Sequence, residues 1–463
     1  MSQSAPKQVV LGLFEWTEPT MGGLWAHPDN QSHRLADPAY WVELAQTLEE
    51  GKVDFLFLAD SYGYTDVGGE RPAIASTDAL DLPRVDPGYV LAIISQATSK
   101  LGFGMTGSTT FEPPFSLARR LGTLDLFTQG RMGWNVVTSG FAKSAADNFG
   151  QALTPHTQRY AAAEEHVTIV AKLLEDCWED DAIVLDRENG VFADPAKVHR
   201  VKVEGEFFST DGYGLTPPSI QRTPVLFQAG SSTDGRAFAA KYAEAIFLQG
   251  STDEMLARHI EDIEAQSIAH GRAPGSIRYI VGLSVVLGET TEEAQATHEE
   301  YVSYNSVEAA IAGFAQFTGI DLSRFDPDMS MADVQTELGQ SQLNRHFHGD
   351  RIPTVRDIIE GHRVTMGARG LHAIGTVDEV VDRMVHLVDT TGVDGFLIEP
   401  YLRPGTALDL TQRIIPELRR RGRFRSEYEE TTLRERLFGS GHTRLPADHP
   451  VKRSAGITRG ASR

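Results

Sequence analysis

The run Gly133-Trp134-Asn135-Val136-Val137-Thr138-Ser139 decides the fold of this chain of 463 residues. It is short, rich in residues that favour strands, and bounded by turn residues. Its apolar character is continuous, which is typical of a strand buried on both faces of a parallel sheet. Seven other runs share this pattern. The eight predicted strands lie near Val9–Phe14, Phe55–Asp60, Gly102–Thr109, Gly133–Ser139, Val225–Gly230, Ala245–Gln249, Tyr279–Leu287 and Gly395–Glu399.

Helical patterns separate most of these strands. Asp37-Pro38 predicts the start of one helix, with an N-cap followed by proline at the first helical position. Thr376-Val377-Asp378-Glu379 is a capping box before the last strand. Strands and helices that alternate eight times favour an α/β fold of the closed (β/α)8 TIM-barrel type. An open doubly wound sheet remains an alternative, because a miscount by one or two strands would allow it.

Two segments interrupt the alternation and are predicted to be insertions after strands 4 and 7. Residues 180–222 indicate a β-hairpin, and residues 300–375 mix helix and loop signals. Long insertions in barrels usually extend the loops that follow strands, so both are expected to act as lids. We therefore predict one barrel domain over residues 1–438. The basic extension over 439–463 either wraps a neighbouring subunit or, as the default expectation, is disordered.

The composition restricts the partners and the compartment. A formal net charge of −21 argues against nucleic acid and against anionic membranes as partners. No apolar run approaches the roughly 18 residues of a membrane span, and the run Val9–Phe14 is too short for a signal peptide. The single cysteine, Cys177, excludes an intramolecular disulfide. These features favour a cytoplasmic protein with no membrane partner.

Three other motifs favour structural interpretations. Gly102-Phe103-Gly104-Met105-Thr106-Gly107 matches the dinucleotide fingerprint in letters, but it lies within a predicted strand instead of opening a helix. His346-Phe347-His348 has no carboxylate partner fixed by the sequence, so no metal site is predicted. Cys177 has an apparently helical context that indicates a half-buried thiol instead of a nucleophile.

Polar residues lie along or directly after four of the predicted strands. The carboxyl ends of barrel strands meet at one mouth, where ligands bind. Any one of these residues could simply end a strand or cap a helix, but their coincidence indicates a polar ligand site. A Gly-Ser-Ser sequence before a helix also suits a phosphate. The residues are Asp60, Thr106, Ser108, Asn135, Thr138, Ser139, Ser231 and Ser232.

The run Gly130–Ser139 resembles the signature of the bacterial-luciferase-like flavin monooxygenases. The resemblance is closest to the branch that contains the nitrilotriacetate, dibenzothiophene-sulfone, dimethyl-sulfide and long-chain alkane monooxygenases. It extends over nearly the whole chain, from about residue 8 to about 450. Supporting stretches are Phe57–Asp60, Leu121–Asp125, His156–Tyr160, Pro224–Ser232, Asp394–Phe396 and Ile415–Gly422.

The resemblance implies a site for reduced FMN, without a metal and with no assigned catalytic residue. Asp60 and Thr106 are expected near the isoalloxazine ring, with Asn135 close by. The phosphate is expected at Ser139, Tyr160 and Ser232, with help from the backbone N–H groups around Gly230 and Ser231. Hydroxyls and N–H groups at a helix N-terminus can bind a dianion without a P-loop.

The resemblance also implies the reaction and the partners. A separate NAD(P)H:flavin reductase supplies reduced FMN, and O2 is the co-substrate that oxygenates a small organic molecule in a catabolic pathway. A C–S, C–N or C–H bond is broken, and the substrate is an organosulfur compound, an amine, a heteroaromatic or a flavin. A long alkane is doubtful, because residues 15–21 contain neither the cysteine nor the histidine expected of that type, and Gly140 stands where that type has histidine. A homodimer or homotetramer is expected.

Three alternatives remain open at this point. A deazaflavin-dependent hydride-transfer oxidoreductase could use the same barrel, and it would act without O2. A flavin-binding protein without catalysis would bind FMN but consume no substrate. A metal-dependent hydrolase is disfavoured, because no paired His and carboxylate residues lie at the predicted strand ends.

Overall fold

Eight short apolar strands form the centre of the molecule, in a computed structural model that describes residues 6–19, 22–138, 142–152, 154–230, 232–250, 252–331, 352–368 and 370–453. Thirteen strands are present in this part of the chain. They are β1 (Val10–Trp16), β2 (Phe55–Ala59), β3 (Gly102–Ser108), β4 (Met132–Val137), β5 (Ile183–Asp186), β6 (Val191–Ala193), β7 (Val201–Glu204), β8 (Ser209–Gly212), β9 (Val225–Gln228), β10 (Ala245–Leu248), β11 (Arg278–Leu287), β12 (Leu371–Gly375) and β13 (Gly395–Glu399).

Parallel pairing closes eight of these strands into a ring, in the order β1, β2, β3, β4, β9, β10, β11, β13 and back to β1. The pairing of β10 with β11 closes the barrel, with Ala245 opposite Arg278. The (β/α)8 prediction is confirmed, and the open sheet is wrong. All eight predicted strands are barrel strands, with bounds that differ from the prediction by at most two residues.

Glycines on the neighbouring strands β3 and β4 make room for aromatic rings inside the barrel. A Cβ at Gly104 would lie 2.6 Å from Phe57, and a Cβ at Gly133 would collide with Phe227. The glycine-rich run therefore lies within β3, as predicted, and serves packing between strands. Phe247 stacks on Phe227 in the same interior cluster.

Helices surround the ring, and most begin with the predicted kinds of cap. Asp37 accepts a hydrogen bond from Ala39 N, and Thr376 with Glu379 forms a capping box, as predicted. The α-helices are α1 (Pro38–Glu50), α2 (Ala73–Thr77), α3 (Pro87–Ala97), α4 (Pro114–Phe127), α5 (Ala142–Phe149), α6 (His156–Glu175), α7 (Thr233–Tyr242), α8 (Asp253–Ala269), α9 (Thr291–Ser303), α10 (Val307–Thr318), α11 (Val355–Thr365), α12 (Val377–Thr390), α13 (Gly405–Asp409), α14 (Ile415–Arg420), α15 (Leu433–Phe438) and α16 (Pro450–Arg453). Short 3-10 turns occupy Leu24–Ala26, Ser32–Arg34, Pro195–Lys197 and Leu322–Arg324, and a π-helical turn at Leu410–Ile414 joins α13 to α14.

The insertion at 180–222 differs from the prediction in form and in position. It contains two antiparallel hairpins, β5–β6 and β7–β8, instead of one hairpin. It follows helix α6 and leads into β9, and Gln221 donates to the carbonyl of Met132 at the N-terminal end of β4. The expectation of a lid is therefore wrong for this segment, because the C-terminal mouth lies at the opposite end of the strands.

The insertion after β11 does lie at the mouth. Helix α10 packs against α2, and residues of α9 and of the turn after α11 pack around Leu24 and Tyr401. The segment also contains β12, a strand that the sequence analysis missed, which extends the sheet beside the C-terminal half of β11. Residues 332–351, which include His346-Phe347-His348, lie outside the described residues.

Helix α15, which is the last part of the predicted domain 1–438, lies at the other end of the barrel, and the C-terminal extension follows it. Leu433 and Leu437 of α15 join the interior aromatic cluster, and Arg434 forms a buried ion pair with Glu244 at 2.8 Å. Val451 of α16 is also buried in the main core. The expectation of disorder is wrong for residues 439–453, whereas residues 454–463 lie outside the described part.

Within the described ranges, the molecule contains no helix with the length and apolar character needed to cross a membrane.

Candidate active site

Two of the predicted site residues meet across neighbouring strands at the mouth. Thr106 on β3 is in register with Asn135 on β4, and Asn135 Nδ2 donates to Thr106 Oγ1 at 3.1 Å. Both side chains are buried. The amide oxygen Oδ1 of Asn135 is also buried and has no donor among the described residues. A buried acceptor without a donor is costly unless a ligand or water supplies one.

A second group of predicted residues meets at the N-terminus of α7. Ser232 is the N-cap, and its Oγ accepts a hydrogen bond from Gly235 N at 3.1 Å. The hydroxyl of Tyr160 on α6 shares hydrogen bonds with Ser232 and with Thr138, which follows β4. These three hydroxyls therefore surround the first turn of a helix whose leading N–H groups have no acceptor within the helix. We call Thr138, Tyr160, Gly230, Ser232 and Gly235 the cradle.

Two glycines bring the backbone of the cradle together. A Cβ at Gly235 would lie 2.9 Å from the Cα of Gly230 and 2.9 Å from the hydroxyl of Tyr160. Gln228 fixes the other side of this loop, because its Oε1 accepts from Gly230 N at 2.7 Å. The strand-to-helix turn can approach a ligand closely only because neither glycine carries a side chain.

Asp60 lies directly after β2, the strand that pairs with β3. Its carboxylate accepts a hydrogen bond from Ser61 N at 2.8 Å. Burial raises the pKa of Asp60 to about 7, against the smaller opposing effect of the positive charge on Arg84. The carboxyl is therefore able to change its protonation state near neutral pH.

The sequence analysis missed two members of the site. Thr138 was recognised as a polar residue at a strand end, but it was not among the residues expected to bind the phosphate. Its side chain forms a hydrogen bond with Tyr160. Arg159 is buried beside Tyr160, and its Nε has no partner among the described residues. Its position next to Tyr160 in the sequence was the available signal. Two predicted residues, Ser139 and Ser231, lie outside the described residues.

A pocket occupies the other half of the mouth, beside β1, β11 and β13. It contains about 430 Å³ of space not filled by protein atoms, including its open side. The turn after α11 contributes one wall, so the insertion after β11 partly covers the pocket. We call it the mouth pocket, and its lining residues are Phe14, Trp16, Leu24, Ser284, Thr365, Met366, Ala368, Glu399, Pro400, Tyr401 and Arg403.

Buried ion pairs lie behind the mouth pocket. Arg403 Nε is 2.7 Å from Glu15 Oε2, and their side chains are 5% and 1% exposed. Arg84 pairs with Glu18, and its guanidinium lies over the ring of Trp16 at 5.3 Å. Burial raises the pKa of both glutamates to about 7, in spite of their arginine partners.

No cluster of three or more His, Cys, Asp or Glu side chains suitable for a metal ion occurs in the described part of the chain. Cys177 is buried, as a structural thiol would be, and burial raises its pKa. It follows α6 instead of lying within it, and it accepts a hydrogen bond from Gly214 N.

Comparison with known proteins agrees with this arrangement. The model of the luciferase-like monooxygenase family matches residues 20–395. The chain is 40% identical to the long-chain alkane monooxygenase of Geobacillus thermodenitrificans, covering 94% of this chain and 95% of that protein. It is 38% identical to the dimethyl-sulfide monooxygenase of Hyphomicrobium sulfonivorans, covering 96% and 93%. A riboflavin lyase, solved with modified FMN and riboflavin, shares 44% identity over 96% of this chain and 99% of its own, with a TM-score of 0.92.

The deazaflavin alternative is not favoured by the same comparison. A coenzyme F420-dependent tetrahydromethanopterin reductase from Methanopyrus kandleri shares 15% identity and a TM-score of 0.54, a likeness of fold alone. The relatives that match at 38–40% identity are named monooxygenases. The protein is therefore an enzyme of the monooxygenase class with a flavin cofactor, and the non-catalytic alternative is wrong. From its family match and its near-complete overlap with these relatives, the chain belongs to the luciferase-like monooxygenases.

Proposed function

We propose that this protein is the oxygenating component of a two-component monooxygenase, which uses reduced FMN and O2 to oxygenate a small organic substrate. The observation that carries the proposal is the cradle, where the hydroxyls of Tyr160 and Ser232 meet at the N-terminus of α7. The cradle lies at the carboxyl ends of β4 and β9, the end of the barrel at which ligands bind.

The chemistry of the cradle fits the phosphate of FMN. Hydroxyl donors and the backbone N–H groups of Thr233 and Asp234 suit a dianion, and the helix dipole favours negative charge at this end. Gly230 and Gly235 leave space that a Cβ would fill. The buried guanidinium of Arg159 adds a positive charge beside Tyr160. We assign the phosphate to these groups together with Ser139 and Ser231.

The remaining predicted residues fit the isoalloxazine ring. The buried Oδ1 of Asn135 requires a donor, and a reduced flavin ring carries N–H groups that can supply one. Thr106 holds the amide of Asn135 in orientation through its hydroxyl. We assign Asp60 to the edge of the ring, where its carboxyl can hold or release a proton near neutral pH.

When bound, reduced FMN supplies the electrons with which O2 is activated. The chain itself binds and orients the cofactor, holds the substrate beside it and keeps water away. The helices inserted after β11 suit the last role, because residues of α9 and of the turn after α11 pack over the β1 side of the mouth. A C–S, C–N or C–H bond is broken, and the substrate that is oxygenated determines which of the three it is.

The partners and the setting belong to the same proposal. A separate NAD(P)H:flavin reductase delivers the reduced flavin, which agrees with the structural role of the glycines in β3. We infer a cytoplasmic enzyme, because the only cysteine is a free thiol. We also infer a homodimer or homotetramer.

The test combines the purified protein with a flavin reductase, NADH, FMN and O2, and screens candidate substrates by mass spectrometry. We expect a product that has gained one oxygen atom, or lost a fragment, and that carries 18O when 18O2 is used. The control omits FMN. Substrate conversion that continues without O2 would contradict the proposal.

A flavin is the candidate substrate to test first. The observation that favours it is the 44% identity with the riboflavin lyase, over nearly the full length of both chains. Organosulfur compounds, amines and other heteroaromatics follow in the screen. Loss of riboflavin that requires reduced FMN, O2 and this protein would establish the assignment, and unchanged riboflavin in a reaction that consumes another substrate would reject it.

A further inference from the structure

The mouth pocket has an aromatic wall and a charge pattern that together define a class of ligand. Phe14 and Trp16 from the end of β1 and Tyr401 after β13 provide the aromatic surface, and Ser284 provides a hydroxyl. We propose that this pocket selects an uncharged, largely aromatic substrate, and that Glu15 determines this selectivity by neutralising Arg403. The inference rests on the proposed function and narrows its substrate class.

Arg403 is the only arginine or lysine that lines the pocket in the described part of the chain. Its Nε lies 2.7 Å from Glu15 Oε2. Its Nη1 donates to the carbonyl of Trp16 at 3.2 Å and to the carbonyl of Glu18. The guanidinium is therefore held against the loop after β1. The carboxylate of Glu15, which lies behind the pocket wall, compensates its charge.

The other charged groups near the pocket do not attract an anion. Arg84 contacts Trp16 from the side of the loop after β2, where it pairs with Glu18. It also donates to the carbonyl of Ser61 at 2.5 Å, so its donors point away from the pocket. Glu399 lines the pocket and adds a carboxylate. A substrate with a carboxylate or sulfonate would lose its hydration without gaining an uncompensated positive partner.

Two probes of equal size separate charge from shape. We expect the flavin-free protein to bind 2-acetylnaphthalene at least tenfold more tightly than 2-naphthoate, as measured by quenching of tryptophan fluorescence and by calorimetry. Because no turnover is involved, this result does not depend on whether the protein oxygenates anything. Equal affinity for the two probes, or preference for 2-naphthoate, would overturn the proposal even if the monooxygenase activity is found.

The variant Glu15→Gln tests the role of Glu15 directly. Removal of the compensating carboxylate should raise the affinity for 2-naphthoate about tenfold, while the affinity for 2-acetylnaphthalene changes by less than threefold. The double variant Glu15→Gln/Arg403→Gln should lose this gain in affinity for 2-naphthoate. Glu244→Gln is the matched control, because it removes the carboxylate from a buried arginine pair at the opposite end of the barrel. A folded Glu15→Gln protein without the gain would contradict the assignment, and if this variant does not fold, the preference of the unaltered protein decides.

Discussion

The two halves of the barrel mouth handle polarity in different ways. The cradle on the β4 and β9 side contains the hydroxyls of Thr138, Tyr160 and Ser232 together with two glycines. The mouth pocket on the β1 and β13 side stands in front of two buried ion pairs, Glu15–Arg403 and Glu18–Arg84. Neutral hydrogen-bond donors at a helix N-terminus cost little free energy when no anion is bound. A buried charge destabilises the folded protein unless a group of opposite charge pairs with it. Changes in the cradle should therefore weaken cofactor binding, and loss of one member of a buried pair should cost more unfolding free energy than any change in the cradle.

The largest expected effect is that of Arg403→Ala. It leaves the carboxylate of Glu15 buried without its partner, and removal of one member of a buried pair costs about 3–5 kcal/mol of unfolding free energy. Urea denaturation of the flavin-free protein measures this loss. The control is Arg34→Ala, whose pairs with Asp37 and Glu43 are on the surface and are worth at most about 1 kcal/mol. If the two variants lose a similar amount of unfolding free energy, the buried pair behind the mouth pocket stabilises the protein no more than a surface pair does.

Gly235→Ala tests the close approach within the cradle. The new Cβ would lie 2.9 Å from Gly230 Cα and from the hydroxyl of Tyr160, so the loop or the helix must shift. Because the site becomes overpacked, we expect the variant to lose about 1–3 kcal/mol of unfolding free energy and to bind reduced FMN more weakly. Gly361→Ala in α11 is the matched control, since nothing lies within 4 Å of its Cβ position. Undiminished FMN affinity in the Gly235 variant would separate this turn from the flavin site.

Tyr160→Phe and Ser232→Ala each remove one hydroxyl from the cradle. We expect each to weaken the binding of reduced FMN by about 1–2 kcal/mol, the scale of a hydrogen bond to a charged group. Anaerobic titration of the reduced cofactor measures the change. The Ser232 variant should also lose about 1 kcal/mol of stability, because Ser232 caps α7. If both variants bind FMN as tightly as the unaltered protein, the phosphate lies elsewhere.

Protonation of Asp60 should make the stability of the protein depend on pH. Its pKa is about 7 in the folded protein and about 4 in an unfolded chain, so between these values the folded state binds the extra proton. Its contribution to stability is complete below about pH 4 and is lost as the pH rises towards 7, by about 1 kcal/mol per pH unit. The unfolding free energy of the flavin-free protein should therefore fall across this window relative to that of Asp60→Asn. Parallel pH profiles would show that Asp60 titrates normally.

The sequence predicted the barrel because its strands are short, continuous and apolar, and their burial on both faces follows from that pattern. It also indicated that polar residues at neighbouring strand ends share one mouth, and Thr106 and Asn135 do meet there. The grouping of Tyr160 with Ser232 was implied by the family resemblance alone. It missed β12, whose sequence Leu-His-Ala-Ile-Gly alternates between buried and half-buried positions and pairs with only half of β11. The 180–222 insertion lies away from the mouth because it follows the C-terminal end of α6. Its amino-acid composition does not indicate at which end of the barrel it lies.

The charge compensation at the mouth pocket could not be predicted from the sequence. Glu15 and Arg403 are separated by most of the chain and meet only because the first and last barrel strands are neighbours. Arg159 was visible in the sequence, but its burial without a partner among the described residues is a property of the packing around α6. Contacts of this kind depend on closure of the barrel, which no local pattern specifies.

The most direct test of the two-halves arrangement is a crystal structure of the protein with FMN. We predict that the phosphate lies within hydrogen-bond distance of Tyr160 and Ser232 at the start of α7, and that the ring reaches Asn135. The mouth pocket beside Trp16 and Tyr401 should remain available for the substrate. A phosphate bound in the mouth pocket, or FMN bound outside the barrel mouth, would contradict the assignment of the two halves.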